Sequence, residues 1–147
     1  MKFFTTEWWQ GGCEEASEIF DRYQAHFLRI RDHLPPSLVD LEENHTLHDA
    51  QIQQIVNDFG ASSVFMELKG WDQALEHRVK YKLNFKGVSQ FVQVLPREDY
   101  SDSELGDLGY MEIELVASKI EMRMLFASSA EFTIVFKDFF FEHARAE

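Results

Sequence analysis

Hydrophobic and polar positions divide the chain into a helical first third and a strand-rich remainder. In the first third, apolar residues recur every three or four positions, the spacing of one face of an amphipathic helix. They are Ala16, Ile19, Phe20, Tyr23, Phe27, Ile30 and Leu34. Pro35 and Pro36 follow directly and should end the helix, because proline lacks the backbone donor that a helix interior needs.

Two shorter helical segments flank this long helix. Thr5 or Thr6 is a suitable N-cap for a turn that carries Trp8 and Trp9 and ends at the following Gly-Gly pair. A further short helix is expected from residue 37 to residue 43, where two leucines lie three positions apart.

After Asp49 the period of the pattern changes to two. Apolar and polar side chains alternate in residues 64–69, 78–85, 111–115, 121–126 and 132–137, and more weakly in 50–56 and 90–95. Strands with one apolar and one polar side are typical of an antiparallel sheet that is solvated on one face. We therefore predict an α+β fold: an N-terminal helical segment whose long amphipathic helix packs on a curved, mainly antiparallel sheet of about six to seven strands.

The chain length limits the number of domains. The 147 residues, of which 45% are hydrophobic, can bury one sizeable core but are too few for two ordinary domains. We expect a single domain over residues 1–147, with a helical part at 1–45 and a strand-rich part at 46–147.

The net charge narrows the class of partner. At a formal charge of -12 the chain is a poor candidate for binding nucleic-acid phosphates or anionic membranes, since both need a surplus of lysine and arginine. The same acidic field attracts a basic protein. Acidity also serves solubility alone, and that interpretation stays open.

The expected location is the cytoplasm. Cys13 is the only cysteine, which excludes an intramolecular disulfide. Glu7 interrupts the N-terminal residues before they form the apolar region of a signal peptide, and no apolar run approaches the roughly 20 residues of a membrane span.

Histidines and carboxylates are concentrated in EENHTLHDAQI, residues 42–52. His45 and His48 are candidate metal ligands, with His77 as a distant third, because catalytic zinc usually takes three protein ligands. On an extended chain, however, residues three apart lie on opposite faces and neighbours such as His48 and Asp49 point apart. The alternative interpretation is structural: Asp49 accepts backbone hydrogen bonds where the chain enters its first strand, and His48 anchors that turn.

A long acidic loop is predicted at residues 96–109. Its carboxylates, Asp99, Asp102, Glu104 and Asp107, do not fit the calcium loop of an EF-hand, because counting from Asp102 leaves no Gly at the sixth position and no Glu at the twelfth. A solvated loop is favoured. These four residues are our candidates for contact with a protein partner.

Two predicted strands carry rows of opposite charge. Arg78, Lys80 and Lys82 form a basic row, and Glu112 and Glu114 an acidic one. The rows can pair if the strands are neighbours. If the strands lie apart, the basic row is a small anion-binding surface.

Two short stretches carry a family resemblance. The start FTTEWW resembles the FTKEWY-type beginning of small bacterial proteins of unknown function (DUF4085-like), and LHDAQI at residues 47–52 resembles their LHDAxI motif. Some proteins with similar openings are immunity proteins of bacterial toxin systems. The resemblance implies a β-rich fold and carries no catalytic residues.

Three hypotheses of function follow. Because no phosphate-binding glycine loop, nucleophile elbow or paired cysteines are found, an enzyme is disfavoured and no cofactor is expected. We favour a non-catalytic cytoplasmic binding protein, such as an immunity-type inhibitor of a basic protein. The alternatives are a small-molecule or metal-binding protein that uses the sheet face with His45, His48 and His77, and a protein that self-associates through an edge strand or through Trp8 and Trp9.

Overall fold

The computed structural model describes residues 1–95 and 105–146. Within them the helices are α1 (Thr6–Gln10), α2 (Ala16–Ile30) and α3 (Pro36–Asn44), with a 3-10 turn at Arg31–His33 after α2. The strands are β1 (Gln51–Asp58), β2 (Ser63–Trp71), β3 (Arg78–Lys86), β4 (Gln90–Val94), β5 (Leu108–Val116), β6 (Lys119–Phe126), β7 (Glu131–Phe136) and β8 (Asp138–Arg145).

The three predicted helices are confirmed, and so are the signals that bound them. The Thr5 side chain caps α1 by accepting from the backbone N–H of Trp8 at 3.1 Å. The long helix ends before the proline pair, and Pro36 occupies the first position of α3, where its missing N–H costs nothing.

The strands form two open, four-stranded antiparallel sheets. The first sheet has the order β1-β2-β3-β8 and the second the order β4-β7-β6-β5. The predicted α+β class and antiparallel pairing are confirmed. The prediction of one sheet with about six to seven strands is wrong, because the described residues hold eight strands in two sheets.

A bent two-stranded ribbon connects the two sheets. β3 pairs with β8 in the first sheet, and their continuations β4 and β7 pair in the second. At the bend the Lys137 N–H donates to the Lys86 carbonyl at 2.9 Å, and Gly87 has a φ of +65°. A side chain at Gly87 would place its Cβ 3.0 Å from the Cβ of Lys137, so the bend requires glycine for two reasons.

The inner faces of both sheets pack into one hydrophobic cluster with side chains of α2 and α3. Phe85 of β3 meets Phe136 of β7 edge to face, with ring centroids 5.0 Å apart. Leu38 and Leu41 of α3 are fully buried in the same cluster. None of the helices in the described ranges is long and apolar enough to cross a membrane.

The long helix packs along an edge strand rather than over the middle of a sheet. The Tyr23 hydroxyl accepts from the backbone N–H of Ile113 in β5 at 2.9 Å, and His26 Nε2 donates to the carbonyl of the same residue at 2.8 Å. Among the described strands, none lies beside β5 on that side. Two helix side chains therefore supply the hydrogen bonds that a further strand would otherwise make.

A candidate binding cleft between the helices and the edge of the second sheet

A cleft of about 660 Å³ opens where α2, the end of α3, the following loop and the start of β5 meet. The cleft is lined by aromatic, acidic and imidazole side chains: Phe20 and Asp21 of α2, Glu42 of α3, His45 and His48 of the loop, and Tyr110 of β5. Its walls are thus aromatic, with carboxylates and imidazoles among them. Cavities of a few hundred Å³ with a few convergent polar groups are typical ligand sites.

Tyr110 is the centre of an aromatic cluster beside the cleft. The first residues of β5 line the cleft, and the pairing of β5 with β6 shifts register there, between Leu108 and Tyr110. The Tyr110 ring stacks on Phe4 with centroids 4.9 Å apart and meets Trp8 edge-on at 5.1 Å. Trp9 and Phe20 lie 5.7 and 6.1 Å away. We call these five residues the Tyr110 cluster. Because Trp8 and Trp9 pack on Tyr110, the structure gives both rings a role within the chain.

A short chain of hydrogen bonds links the β5 edge to a carboxyl group of the cleft. Tyr23 accepts from Ile113 and donates its own hydroxyl hydrogen to Glu42. Burial, followed by the nearby Glu42 charge, raises the pKa of Tyr23, so its hydroxyl stays protonated. Tyr23 therefore acts as a fixed donor to Glu42.

Glu42 has the most perturbed carboxyl group of the cleft. Loss of solvent raises its pKa from 4.5 to about 7, and the negative charge of Glu43 adds to the rise, while the hydrogen bond from Tyr23 opposes it. Glu43 itself is held outside by Arg31 through two hydrogen bonds of 2.8 Å. At neutral pH the Glu42 carboxyl is therefore close to half ionised, and a cation in the cleft would favour its charged form.

His48 is oriented by the backbone of β5. Its Nδ1 lies 2.8 Å from the carbonyl oxygen of Gly109, and because a carbonyl can only accept, Nδ1 carries the hydrogen. Its Nε2 lies 3.5 Å from Oδ1 of Asp49. The expectation that these neighbours point apart is wrong, because Asp49 adopts a left-handed φ of +63° instead of an extended conformation.

The structural interpretation of the turn is correct for His48 but not in its detail for Asp49. His48 anchors the turn through Gly109. The side chain that accepts the backbone N–H of His48 is Thr46, at 3.1 Å. Asp49 contributes its own N–H, which donates to the Leu108 carbonyl at 2.8 Å.

His45 also lines the cleft. Its ring lies 4.6 Å from that of His143 between centroids, and its Nδ1 is 3.5 Å from the Tyr81 hydroxyl. Burial lowers the pKa of His45, and the neighbouring His143 lowers it further, against a smaller opposite effect of Asp40. Neutral imidazole is thus the favoured form of His45.

The three histidines proposed as metal ligands are not brought together. His45 and His48 line the same cleft, whereas His77 lies at the β2–β3 turn, where it contacts Arg145 of β8. Among residues 1–95 and 105–146, no three His, Cys, Asp or Glu side chains are arranged to hold a metal ion.

Of the four acidic loop residues proposed for partner contact, the structure describes Asp107. Asp99, Asp102 and Glu104 lie outside the described residues. Asp107 accepts from the side chain of Gln51 at the start of β1 at 2.8 Å, and its carbonyl accepts from Ala127. Asp107 therefore helps to hold the two sheets together at this end.

The basic and acidic rows do not pair with each other, because β3 and β5 belong to different sheets. Glu112 is fully buried and accepts from Arg123 Nε at 3.0 Å and from the backbone N–H groups of Phe3 and Phe4 at 2.7 and 2.6 Å. Arg123 also bonds Glu114 and Glu121. The acidic row thus fixes the N-terminal segment, and Phe4 with it, on the second sheet.

Sequence reasoning missed Glu42 and the Tyr110 cluster. A signal for Glu42 existed, since it follows Leu38 by four positions and therefore lies on the buried side of α3. Nothing comparable links Tyr110 to the N-terminal aromatic residues, which are distant in sequence.

No protein-family model matches the chain, and no curated protein matches its sequence. A similar solved structure is the crystal structure of an uncharacterized protein from Neisseria gonorrhoeae, at 13% sequence identity and a TM-score of 0.48. The match covers 67% of this chain and 94% of that one.

Proposed function

We propose that the chain is a non-catalytic cytoplasmic binding protein whose cleft receives a basic side chain of a protein partner. The observation that supports this proposal is the placement of Asp21 and Glu42 in one cleft with the aromatic rings of Phe20 and Tyr110. Arginine and lysine bind favourably to the faces of aromatic rings, and a carboxylate beside the ring adds a charge-assisted hydrogen bond.

Exposure of the aromatic wall supports the same proposal. Phe20 is 47% exposed although it belongs to the apolar stripe of α2, whose members Tyr23 and Phe27 are buried. An exposed phenylalanine at the mouth of a cleft is suited to contact with a partner. The formal charge of -12 would speed the approach of a basic protein and would make binding depend on salt.

An immunity-type inhibitor of a basic toxin is the specific form of this proposal. It rests on the resemblance of the FTTEWW and LHDAQI stretches, together with the acidic charge. In this form Asp99, Asp102 and Glu104 are additional contacts for the partner. Replacing all three by their amides removes the charge of the loop and leaves the cleft unchanged, so the effect on partner binding tests the loop separately from the cleft.

Nuclear magnetic resonance tests the proposed site. A tetra-arginine peptide is titrated into the ¹⁵N-labelled protein, with tetra-glutamate as the control peptide. We expect the arginine peptide to shift first the backbone resonances of four residues, Phe20, Asp21, Glu42 and Tyr110. We also expect Phe20→Ala to weaken binding while the protein stays folded, because this position is exposed. Shifts spread evenly over acidic surface residues, or no shifts at all, would contradict the proposal.

A small cationic molecule is the second candidate ligand, because the cleft volume lies within the usual range for small-molecule sites. A native mass spectrum of the purified protein distinguishes the two. If the unmodified protein carries the additional mass of a bound small molecule and the Phe20→Ala variant does not, the result would favour this candidate over a protein partner.

A further inference from the structure

We propose that the outer face of the first sheet binds a carboxylate-rich segment of a partner protein. This face is formed by the outward positions of β2, β3 and β8 and shares no residue with the cleft. Its cations are Lys69, Arg78, Lys80, Lys82 and Lys86, to which we refer as the basic face.

Most of these cations form no ion pair with a carboxylate of residues 1–95 or 105–146. Lys80 lies 3.4 Å from Glu67. Within the described residues, Lys69, Arg78, Lys82 and Lys86 form no ion pair, although the sequence holds 26 acidic and only 14 basic residues. In so acidic a chain, unpaired cations gathered on one face are available for an external anion.

The register of the first sheet places two of the lysines directly opposite each other. Lys69 of β2 faces Lys80 of β3 in the antiparallel pair. Like charges at opposed positions lower the stability of a sheet, since their Cβ atoms are only about 5 Å apart. A bound carboxylate between the two ammonium groups would remove this repulsion.

Aromatic rings on the same face restrict two further cations, Arg78 and Lys86. The Arg78 guanidinium lies over Trp71, 4.4 Å from the ring centroid, and the Lys86 ammonium lies over Phe140 at 5.6 Å. Packing on a ring restricts a long side chain, so less conformational entropy is lost when it binds an anion.

The same contacts favour an acidic peptide over single-stranded nucleic acid. Nucleic-acid platforms need free ring faces for base stacking, and here cations already cover Trp71 and Phe140. Glu67 and Glu142 flank Lys82 on neighbouring strands and would repel a continuous row of phosphates. A glutamate-rich peptide carries its charges on long, rotatable side chains, which can reach the lysines and turn away from both glutamates.

Binding of an octaglutamate peptide, measured by isothermal titration calorimetry at about 50 mM salt, tests the proposal. An eight-nucleotide oligothymidylate is the nucleic-acid probe. The double variant Lys69→Gln/Lys82→Gln should weaken octaglutamate binding about five- to tenfold, as expected for the loss of two charged contacts. The charge-matched control Arg29→Gln/Lys119→Gln, located on α2 and β6, should change it less than about twofold.

Three outcomes would overturn the proposal: no octaglutamate binding at this salt, equal weakening by both double variants, or tighter binding of the oligothymidylate. Thermal unfolding of each variant establishes that it is folded. Because none of the substituted residues lines the cleft, the result is independent of the function proposed for the cleft.

Discussion

Protonation of a single residue, Glu42, should control binding in the cleft. Its folded-state pKa of about 7 means that the free protein holds a proton there below neutral pH. A bound cation favours the carboxylate, so binding should release the proton and should strengthen as pH rises. We expect the affinity for tetra-arginine to increase up to about tenfold between pH 5.5 and pH 8.

The variant Glu42→Gln removes this titrating carboxyl group and leaves His45 and His48 of the cleft unchanged. Calorimetry at the two pH values should show a markedly smaller increase in affinity for the variant. An identical pH dependence in both proteins would contradict the assignment of Glu42 as the titrating group.

Tyr23 links the helix, the sheet edge and the cleft through one hydroxyl group. Tyr23→Phe removes the acceptor for the Ile113 N–H and the donor to Glu42. A buried donor without a partner costs about 1–3 kcal/mol, so the free energy of unfolding should fall by that amount in urea denaturation. Tyr110→Phe is the matched control, since its hydroxyl makes only a weak contact of 3.9 Å with Cys13. Equal effects of the two substitutions would show that the Tyr23 bridge is not important for stability.

At the scale of elements, periodicity predicted most of the fold because most strands have one buried and one solvated side. β3 is a clear example, with buried residues at alternate positions from Val79 to Phe85. β8 was missed because its last residues, Glu142 to Arg145, are exposed on both sides and show no alternation. Division into two sheets could not be predicted either, since it depends on the bend at Gly87 and Lys137.

The bend at Gly87 should be sensitive to any side chain. In Gly87→Ala an alanine must adopt the left-handed φ of this position, and its Cβ would lie 3.0 Å from the Cβ of Lys137. We expect a loss of at least about 1 kcal/mol in stability by chemical denaturation. Gly60→Ala is the control, because its Cβ would meet only Asp58 at 3.6 Å and its φ is not in the positive range. A Gly87→Ala protein as stable as the control would contradict this account of the bend.

The attachment of the N-terminal segment depends on a buried ion network. Arg123→Met leaves Glu112 buried without its cationic partner, and removal of one member of such a pair typically costs about 3–5 kcal/mol. Thermal and urea unfolding should both detect this loss. Arg29→Met, on the exposed side of α2, should leave stability nearly unchanged. Similar unfolding curves for the two variants would mean that Glu112 does not need Arg123.

For the molecule as a whole, the formal charge of -12 is unevenly distributed, and two surfaces differ in the sign of their charged groups. The cleft combines carboxylates with aromatic rings, whereas the basic face gathers five cations on the first sheet. Composition predicted the attraction of a basic partner but could not locate it, because charge counts contain no spatial information. The basic row was visible in the sequence, yet its separation from Glu112 and Glu114 follows from the sheet topology.

Binding of a basic side chain in the cleft is tested most sharply by two double variants, compared by calorimetry in their affinity for tetra-arginine at pH 8, where Glu42 is mostly ionised and the variants are charge-matched. Asp21→Asn/Glu42→Gln removes two carboxylates from the cleft, and Glu76→Gln/Glu142→Gln removes two exposed carboxylates elsewhere. If the cleft receives the basic side chain, the first variant should bind at least about tenfold more weakly and the second within about twofold of the unmodified protein. Equal losses in the two variants would mean that only the overall negative charge attracts the peptide, and would contradict the cleft as the binding site.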